Sequence, residues 1–176
     1  MVAADYGEPR ANTLSNAARW CSDDASSTMN QVLERSTWIP RPVGEVSRFF
    51  SDVSNLERIT PPELRFRILT PLPVEIRHGA LIDYRLSLFG VPFGWRTEIT
   101  CWEPPHRFVD TQRSGPYRQW IHLHEFTPER DGTRMRDRVD YLLPLGRLGL
   151  AGLPLVRRQL DRIFDFRESA LHDLLG

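Results

Sequence analysis

The chain has 176 residues, 40% of them apolar, which is enough for one domain with a sizeable hydrophobic core. Its 23 cationic residues are all arginine and balance 23 acidic residues, so a general nucleic-acid-binding role lacks an electrostatic basis. The lack of lysine excludes a Schiff-base lysine and a Walker-type phosphate loop, and the two cysteines, Cys21 and Cys101, make neither a disulfide framework nor a metal cluster.

Residues 1–28 are rich in alanine, serine, asparagine and aspartate and show little apolar periodicity. They are predicted to form a loosely ordered N-terminal extension, and residues 29–176 to form a single domain. No apolar segment approaches the length of a membrane span, and the N-terminus lacks the apolar stretch of a signal peptide. A cytoplasmic location is therefore expected by default.

The domain is predicted to begin with a strand over residues 30–39, which ends at Pro40. A short helix follows Pro42, because apolar residues recur there at helical spacing: Val43, Val46, Phe49 and Phe50. Ser54 is a candidate N-cap for a second short helix, which Pro61 and Pro62 would stop.

Three strands are predicted next, over residues 64–70, 81–89 and 93–102. Each alternates between one wet face and one dry face, as expected for an antiparallel sheet that is covered on one side. The inward residues of the last two strands are Ile82, Tyr84, Leu86 and Leu88, and then Trp95, Thr97, Ile99 and Cys101.

Residues 106–144 read as a three-stranded meander, with turns at Ser114-Gly115-Pro116 and Asp131-Gly132. In its last strand, arginines at even positions alternate with apolar residues, which turns Asp137 inward together with Met135, Val139 and Tyr141. In its first strand, a three-residue loop at 114–116 turns inward Phe108, Asp110 and Gln112.

The facing of the middle strand depends on the second turn. A two-residue loop at Asp131-Gly132 pairs Arg130 with Thr133 and turns four residues inward: Trp120, His122, His124 and Phe126. A three-residue loop would reverse the strand and bury Ile121 and Leu123 instead. The two-residue loop is preferred because Asp-Gly is a strong hairpin signal.

A long amphipathic helix is predicted from Leu155 to Leu175, with an apolar stripe that includes Leu160 and Phe164. It must pack on the concave side of the sheet. The glycine-rich segment 144–154 before it is either a lead-in to the helix or a mobile gate.

The order of one strand, two short helices, six antiparallel strands and a long C-terminal helix is the α+β helix-grip arrangement, a seven-stranded antiparallel sheet wrapped around that helix. The chain resembles the START-related, birch-pollen-allergen-like (SRPBCC) superfamily, and more narrowly its bacterial ligand-binding group related to polyketide cyclases and dehydrases. The matching segments are ERITPPELRFRI (57–68), GALIDYRLSLFGVPFGWRTEI (79–99), FVDTQRSGPYRQWIHLHEF (108–126) and MRDRVDYLLPLG (135–146).

The resemblance implies that the helix does not fill the concavity of the sheet and leaves an internal cavity. The expected ligand is a small, largely apolar molecule such as a lipid, an isoprenoid or a polyketide-like aromatic. Neither a metal nor another cofactor is expected, and the sequence indicates no oligomeric state. The candidate ligand-binding residues are Phe66, Tyr84, Leu86, Trp95, Thr97, Phe108, Asp110, Gln112, Trp120, His122, His124, Phe126, Asp137, Tyr141, Leu160 and Phe164.

Three of these residues, His122, His124 and Asp137, are candidates for chemistry. A histidine oriented by a carboxylate can transfer protons near neutral pH, which would suit a cyclase, a dehydratase or a hydrolase. Two histidines separated by one residue on a strand, with a neighbouring carboxylate, could also bind zinc. The alternative is that the histidines hydrogen-bond Asp137, Gln112 or Asp110 and help to shape the pocket. Binding is the leading hypothesis, an enzyme is the second, and an interaction module without a ligand is the third.

Overall fold

The computed structural model describes residues 30–88, 90–146 and 149–176. The N-terminal extension predicted over residues 1–28 lies outside these ranges. These ranges contain two α-helices, α1 (Val43–Ser51) and α2 (Leu153–Leu175). The strands are β1 (Gln31–Ile39), β2 (Arg67–Ile68), β3 (Leu81–Leu88), β4 (Val91–Glu103), β5 (Arg107–Ser114), β6 (Gln119–Glu129) and β7 (Gly132–Leu142).

The seven strands form one antiparallel sheet in the order β1-β7-β6-β5-β4-β3-β2. The buried side of α2, formed by Leu160, Phe164 and Leu171, packs with residues of the sheet in two hydrophobic clusters. This confirms the predicted helix-grip fold. None of the helices within the described ranges combines the length and the apolar character needed to span a bilayer.

The region between α1 and β3 differs from its prediction. The second short helix is a 3-10 helix, Val53–Leu56, and its N-cap is Asp52, whose Oδ1 accepts a hydrogen bond of 3.0 Å from the backbone N–H of Ser54. The strand predicted over 64–70 is reduced to β2, because a second 3-10 helix, Pro62–Leu64, occupies its beginning. Two adjacent prolines favour such a turn over an extended ladder.

The hairpin between β6 and β7 has a two-residue loop, but the loop is Arg130-Asp131, so Glu129 pairs with Gly132. The predicted position was therefore wrong by one residue. Moving a two-residue loop by one position shifts the pairing by two residues, which leaves every side chain on the same face. The predicted inward facing of the β6 residues is confirmed, since Trp120, His122, His124 and Phe126 are all buried.

Gly132 has a packing role rather than the predicted turn role. A Cβ atom at this position would lie 2.4 Å from the carbonyl oxygen of Ile39 on the adjacent strand β1. The residue that adopts the left-handed backbone in the loop is Arg130, with φ of 56°. The Asp-Gly pair therefore predicted the hairpin correctly but not the two residues that form its loop.

The outer face of the sheet has more buried apolar residues than the alternating sequence pattern predicts. Val109 and Leu123 are buried on the side opposite to the histidines, and they are direct neighbours across β5 and β6. Ion pairs lie on the same face, including Arg136 with Glu34 at 3.0 Å and Arg138 with Asp140 at 3.0 Å. Leu123 is therefore buried even though the predicted loop length, which turns it outward, was right.

The strained loop residue gives a test of the hairpin. Replacing Arg130 by glycine should raise the free energy of unfolding by about 0.5 to 1 kcal/mol, because a left-handed backbone is costly for a residue with a Cβ. Urea unfolding measures this change. The matched control is Asp131→Gly, since the φ of Asp131 is not positive; it should be neutral or destabilising. Equal effects of the two substitutions would contradict the assigned loop.

Candidate functional site

A cavity of about 180 Å³ lies between the concave face of the sheet and α2. Its wall is mostly apolar and aromatic, with a few polar groups. The predicted ligand-binding residues that line it are Phe66, Tyr84, Leu86, Trp95, Thr97, Phe108, Asp110, Trp120, His122, His124, Leu160 and Phe164. Phe66 directly precedes β2, and the other residues come from β3 to β6 and from one side of α2, since alternate residues of each strand share the concave face.

Four of the predicted residues do not line the cavity. Asp137 lies beside the histidines, whereas Phe126 and Tyr141 are buried in the packed core. The side chain of Gln112 donates a hydrogen bond of 2.7 Å to the backbone carbonyl of Tyr117 and so shapes the β5–β6 connection. No described residue of the 144–154 segment lines the cavity either.

Aromatic rings pack in series along the wall formed by β3, β4 and β6. The ring centroids of Tyr84 and Trp95 are 5.9 Å apart, and those of Trp95 and Trp120 are 5.3 Å apart in an edge-to-face arrangement. Thr97 satisfies the polar atoms of this wall: its Oγ1 accepts a hydrogen bond of 3.0 Å from Trp95 Nε1 and lies 2.9 Å from the hydroxyl of Tyr84. Burial and the charge of Asp110 raise the pKa of Tyr84, so its phenol is neutral.

Two histidines and two aspartates form a buried cluster at one end of the cavity. We call His122, His124, Asp110 and Asp137 the His/Asp cluster. In the sheet, Asp110 is paired with His122, and His124 is paired with Asp137, so three adjacent strands bring the four side chains together. His122 Nε2 lies 3.0 Å from Asp137 Oδ1, and His124 Nε2 lies 3.1 Å from Asp110 Oδ2.

The contacts within the His/Asp cluster indicate which ring nitrogens of the two histidines carry protons. An ionised carboxylate only accepts hydrogen bonds, so each Nε2 must carry the hydrogen. The Nδ1 of His124 lies 2.8 Å from Asp137 Oδ1 without hydrogen-bond geometry. The close negative oxygen of Asp137 favours a positive charge on the His124 ring, and so does the stacked ring of Phe108, with its centroid 4.2 Å away. These contacts favour the imidazolium form of His124.

His122 has weaker anionic contacts, since its Nδ1 is 3.4 Å from Asp110 Oδ2. Burial and the positive charge of His124 lower the pKa of His122, which favours the neutral ring. Burial would also lower the pKa of His124, but its hydrogen bond with Asp110 and its contacts with Asp137 raise the pKa above the usual value. The pKa values of the two neighbouring imidazoles are thus shifted in opposite directions.

Both aspartates are ionised. Burial alone would raise the pKa of Asp137, but its contacts with His122 and His124 hold that pKa far below the usual range. Burial alone would also raise the pKa of Asp110, but its interactions with His122, His124 and Arg167 lower that pKa below the usual value. Two negative carboxylates, one imidazolium and the nearby guanidinium of Arg167 sum to zero charge, which makes the burial of the cluster tolerable.

Sequence reasoning missed several residues of the cavity wall, among them Phe50, Tyr117 and Arg167. Arg167 is the most informative, since it lies three residues after Phe164 and four before Leu171. These spacings place a cation within the apolar stripe of α2, and that break in the pattern is the signal that could have identified it.

The cluster also offers metal ligands. One donor atom each from Asp110, His122 and His124 lie within 4.8 Å of one another. A metal ion there would have to displace the protons that join these groups. It would also lie close to the fixed charge of Arg167, whose Nη1 is 3.9 Å from Asp137 Oδ1. The donor set suits zinc, but this positive charge opposes a second cation.

A scan against protein-family models matches residues 39–165 to the family described as "Polyketide cyclase / dehydrase and lipid transport". The chain belongs to this family. The family lies within the START-related, birch-pollen-allergen-like superfamily, which confirms the resemblance carried by the sequence. A search of the curated proteins found no match.

Solved structures similar to this family member include two bacterial proteins and one plant protein. Protein Ms6760 from Mycobacterium smegmatis is 19% identical with a TM-score of 0.63, over 82% of this chain and 90% of that one. Protein CV1439 from Chromobacterium violaceum is 17% identical with a TM-score of 0.63, over 85% and 98%. The major latex-like protein 151 of Panax ginseng is 13% identical with a TM-score of 0.58, over 80% and 97%. At these identities the likeness shows the fold alone.

The opposite pKa shifts of the two histidines predict opposite pH dependences. Because the folded-state pKa of His124 is raised, its stabilisation is complete below its unfolded pKa of about 6.5 and is lost as the pH rises through the folded value. His124→Phe should therefore cost about 1 to 3 kcal/mol near pH 6 and less near pH 9. Urea unfolding at both pH values measures the difference.

For His122 the sign reverses, because its folded-state pKa is lowered. The cost of His122→Phe should increase as the pH rises through about 6.5. The matched control is His106→Phe, since His106 is exposed and its removal should change stability by less than about 0.5 kcal/mol. The same pH dependence in the variants at 122 and 124 would contradict the proton assignment.

Proposed function

We propose that the protein binds a small, largely apolar molecule of the lipid, isoprenoid or polyketide-like aromatic class in the cavity between the sheet and α2. The composition of the cavity wall carries this proposal. Most of the lining is aliphatic or aromatic, and its acidic and basic residues are Arg167 and three members of the His/Asp cluster. Apolar walls with a few placed polar groups are typical of small-molecule sites.

The size of the cavity limits the ligand. An engineered protein cavity of about 150 Å³ takes up benzene. The cavity of this protein, at about 180 Å³, is comparable and suits a molecule with one ring or a short branched chain. A longer lipid or a multi-ring polyketide would require the walls to move apart.

The family description, which names polyketide cyclases, dehydrases and lipid transport, supports this class of ligand. The aromatic wall supports it further, because Trp95 and Trp120 offer ring faces and edges for the packing of a flat molecule. An apolar ligand that enters such a cavity gains the free energy of removing its surface from water.

Filling the cavity tests the binding site. Leu86→Trp should weaken the binding of ethylbenzene at least about tenfold, because Leu86 lines the cavity and the larger ring occupies its space. Isothermal titration calorimetry measures the affinity. Leu69→Trp is the matched control, since Leu69 is 52% exposed and does not line the cavity. Equal affinities of the two variants, or no binding by the unaltered protein, would contradict the proposed site.

Acid–base catalysis is a second candidate function, and the adjacent placement of two cavity histidines with opposite pKa shifts favours it. His124 is positioned as an acid and His122 as a base, and pairs of groups with pKa values pushed apart are typical of acid–base sites. Such a pair could dehydrate a β-hydroxy ketone. The base would remove the proton next to the carbonyl, and the acid would protonate the departing hydroxyl, which gives an enone and water.

Turnover of a β-hydroxy ketone with one phenyl ring tests this function, with the absorbance of the enone as the readout. His124→Asn should reduce the rate at least about a hundredfold, because removal of an acid–base group has an effect of this order. Binding of ethylbenzene should remain, since its contacts are with the apolar wall. Binding without turnover in the unaltered protein would leave binding as the function and contradict catalysis of this dehydration.

A further inference from the structure

Two nitrogens of the buried Arg167 guanidinium have no hydrogen-bond acceptor within the described part of the chain. Its side chain is 13% exposed, and its Nε and Nη1 atoms have no hydrogen-bond partner among the residues that the structure describes. Its contact with the Phe164 ring, 4.9 Å from Cζ to the centroid, leaves the N–H groups unsatisfied. A buried charged donor without a partner is costly, so its retention needs an explanation.

The nearest anion, Asp137, does not accept a hydrogen bond from Arg167. Asp137 Oδ1 is 3.9 Å from Arg167 Nη1, which is too long for a hydrogen bond. The same oxygen already accepts from His122 Nε2 at 3.0 Å and lies 2.8 Å from His124 Nδ1. Asp137 is thus engaged by the two histidines. The exposed Arg162 on the same helix, by contrast, donates to Glu63.

Arg167 lines the cavity, so a ligand held there can supply an acceptor to these N–H groups. We infer that the ligand carries a neutral carbonyl oxygen on its apolar body, and that Arg167 donates a hydrogen bond to this oxygen. This inference rests on the proposed binding function and narrows its ligand class from apolar molecules in general to apolar carbonyl compounds.

Charge balance selects a carbonyl over a carboxylate. With one imidazolium, the His/Asp cluster and Arg167 together are neutral. A carboxylate would bring an unbalanced negative charge into a low-dielectric cavity that already contains two ionised aspartates, and burial of such a charge is costly. A carbonyl oxygen meets the unused N–H groups of Arg167 without changing the net charge.

Three probes of similar size separate these possibilities: ethylbenzene has no acceptor, acetophenone has a carbonyl, and benzoate has a carboxylate. Isothermal titration calorimetry on the full chain measures their affinities. Acetophenone should bind at least about tenfold more tightly than ethylbenzene and than benzoate, as a hydrogen bond to a charged donor predicts. Equal affinities for acetophenone and ethylbenzene would overturn the inference while the binding function stands. Tighter binding of benzoate would overturn it also.

Two arginine variants test whether Arg167 causes the preference for acetophenone. Arg167→Met keeps the length of the side chain but removes its donors, so the preference for acetophenone over ethylbenzene should disappear while ethylbenzene still binds. Arg162→Met, in which the exposed arginine loses its pair with Glu63, should keep the preference. An equal loss of affinity for all three probes in Arg167→Met would show a structural role and overturn the inference. Binding of none of the probes by the unaltered protein would overturn the proposed function and this inference with it.

Discussion

The buried carboxylate of Asp137 is the constraint on which the site depends. Strand alternation in β7 turns it to the concave face, where it is only 5% exposed. A charge in that position must be paired, and the adjacent strand supplies His122 and His124 at the required positions. The cluster therefore ties β5, β6 and β7 together through side chains as well as through their backbone ladder.

The same constraint divides the cavity into two parts. One part is lined by the aromatic series of Tyr84, Trp95 and Trp120, whose polar atoms are satisfied locally by Thr97. The other ends at charged groups that neutralise one another. A ligand that fits both parts must be apolar over most of its surface and polar at one place, and this division underlies both functions proposed for the protein.

The β6–β7 hairpin shows why the concave face could be predicted from the sequence although the turn was misplaced. Side chains alternate between the two faces of a strand with a period of two. A two-residue loop that is displaced by one position therefore leaves each side chain on the same face. The choice between loops of two and three residues mattered, and Asp131-Gly132 indicated it correctly. The role of Gly132 against Ile39 could not be foreseen, because it depends on a strand that is distant in the sequence.

Sequence by itself determined the order of the elements, the helix-grip fold and the inward facing of His122, His124 and Asp137, since these follow from local periodicity and turn chemistry. It did not determine which of Asp110, Gln112 and Asp137 contact the histidines, that Leu123 is buried on the opposite face, or that Arg167 reaches the cavity with two donors unpaired among the described residues. Periodicity gives the face of each residue, whereas contacts depend on the register between strands and the placement of α2. Only the tertiary structure shifts the pKa values of the two imidazoles in opposite directions, because those shifts depend on burial and on the contacts of each ring with the aspartates.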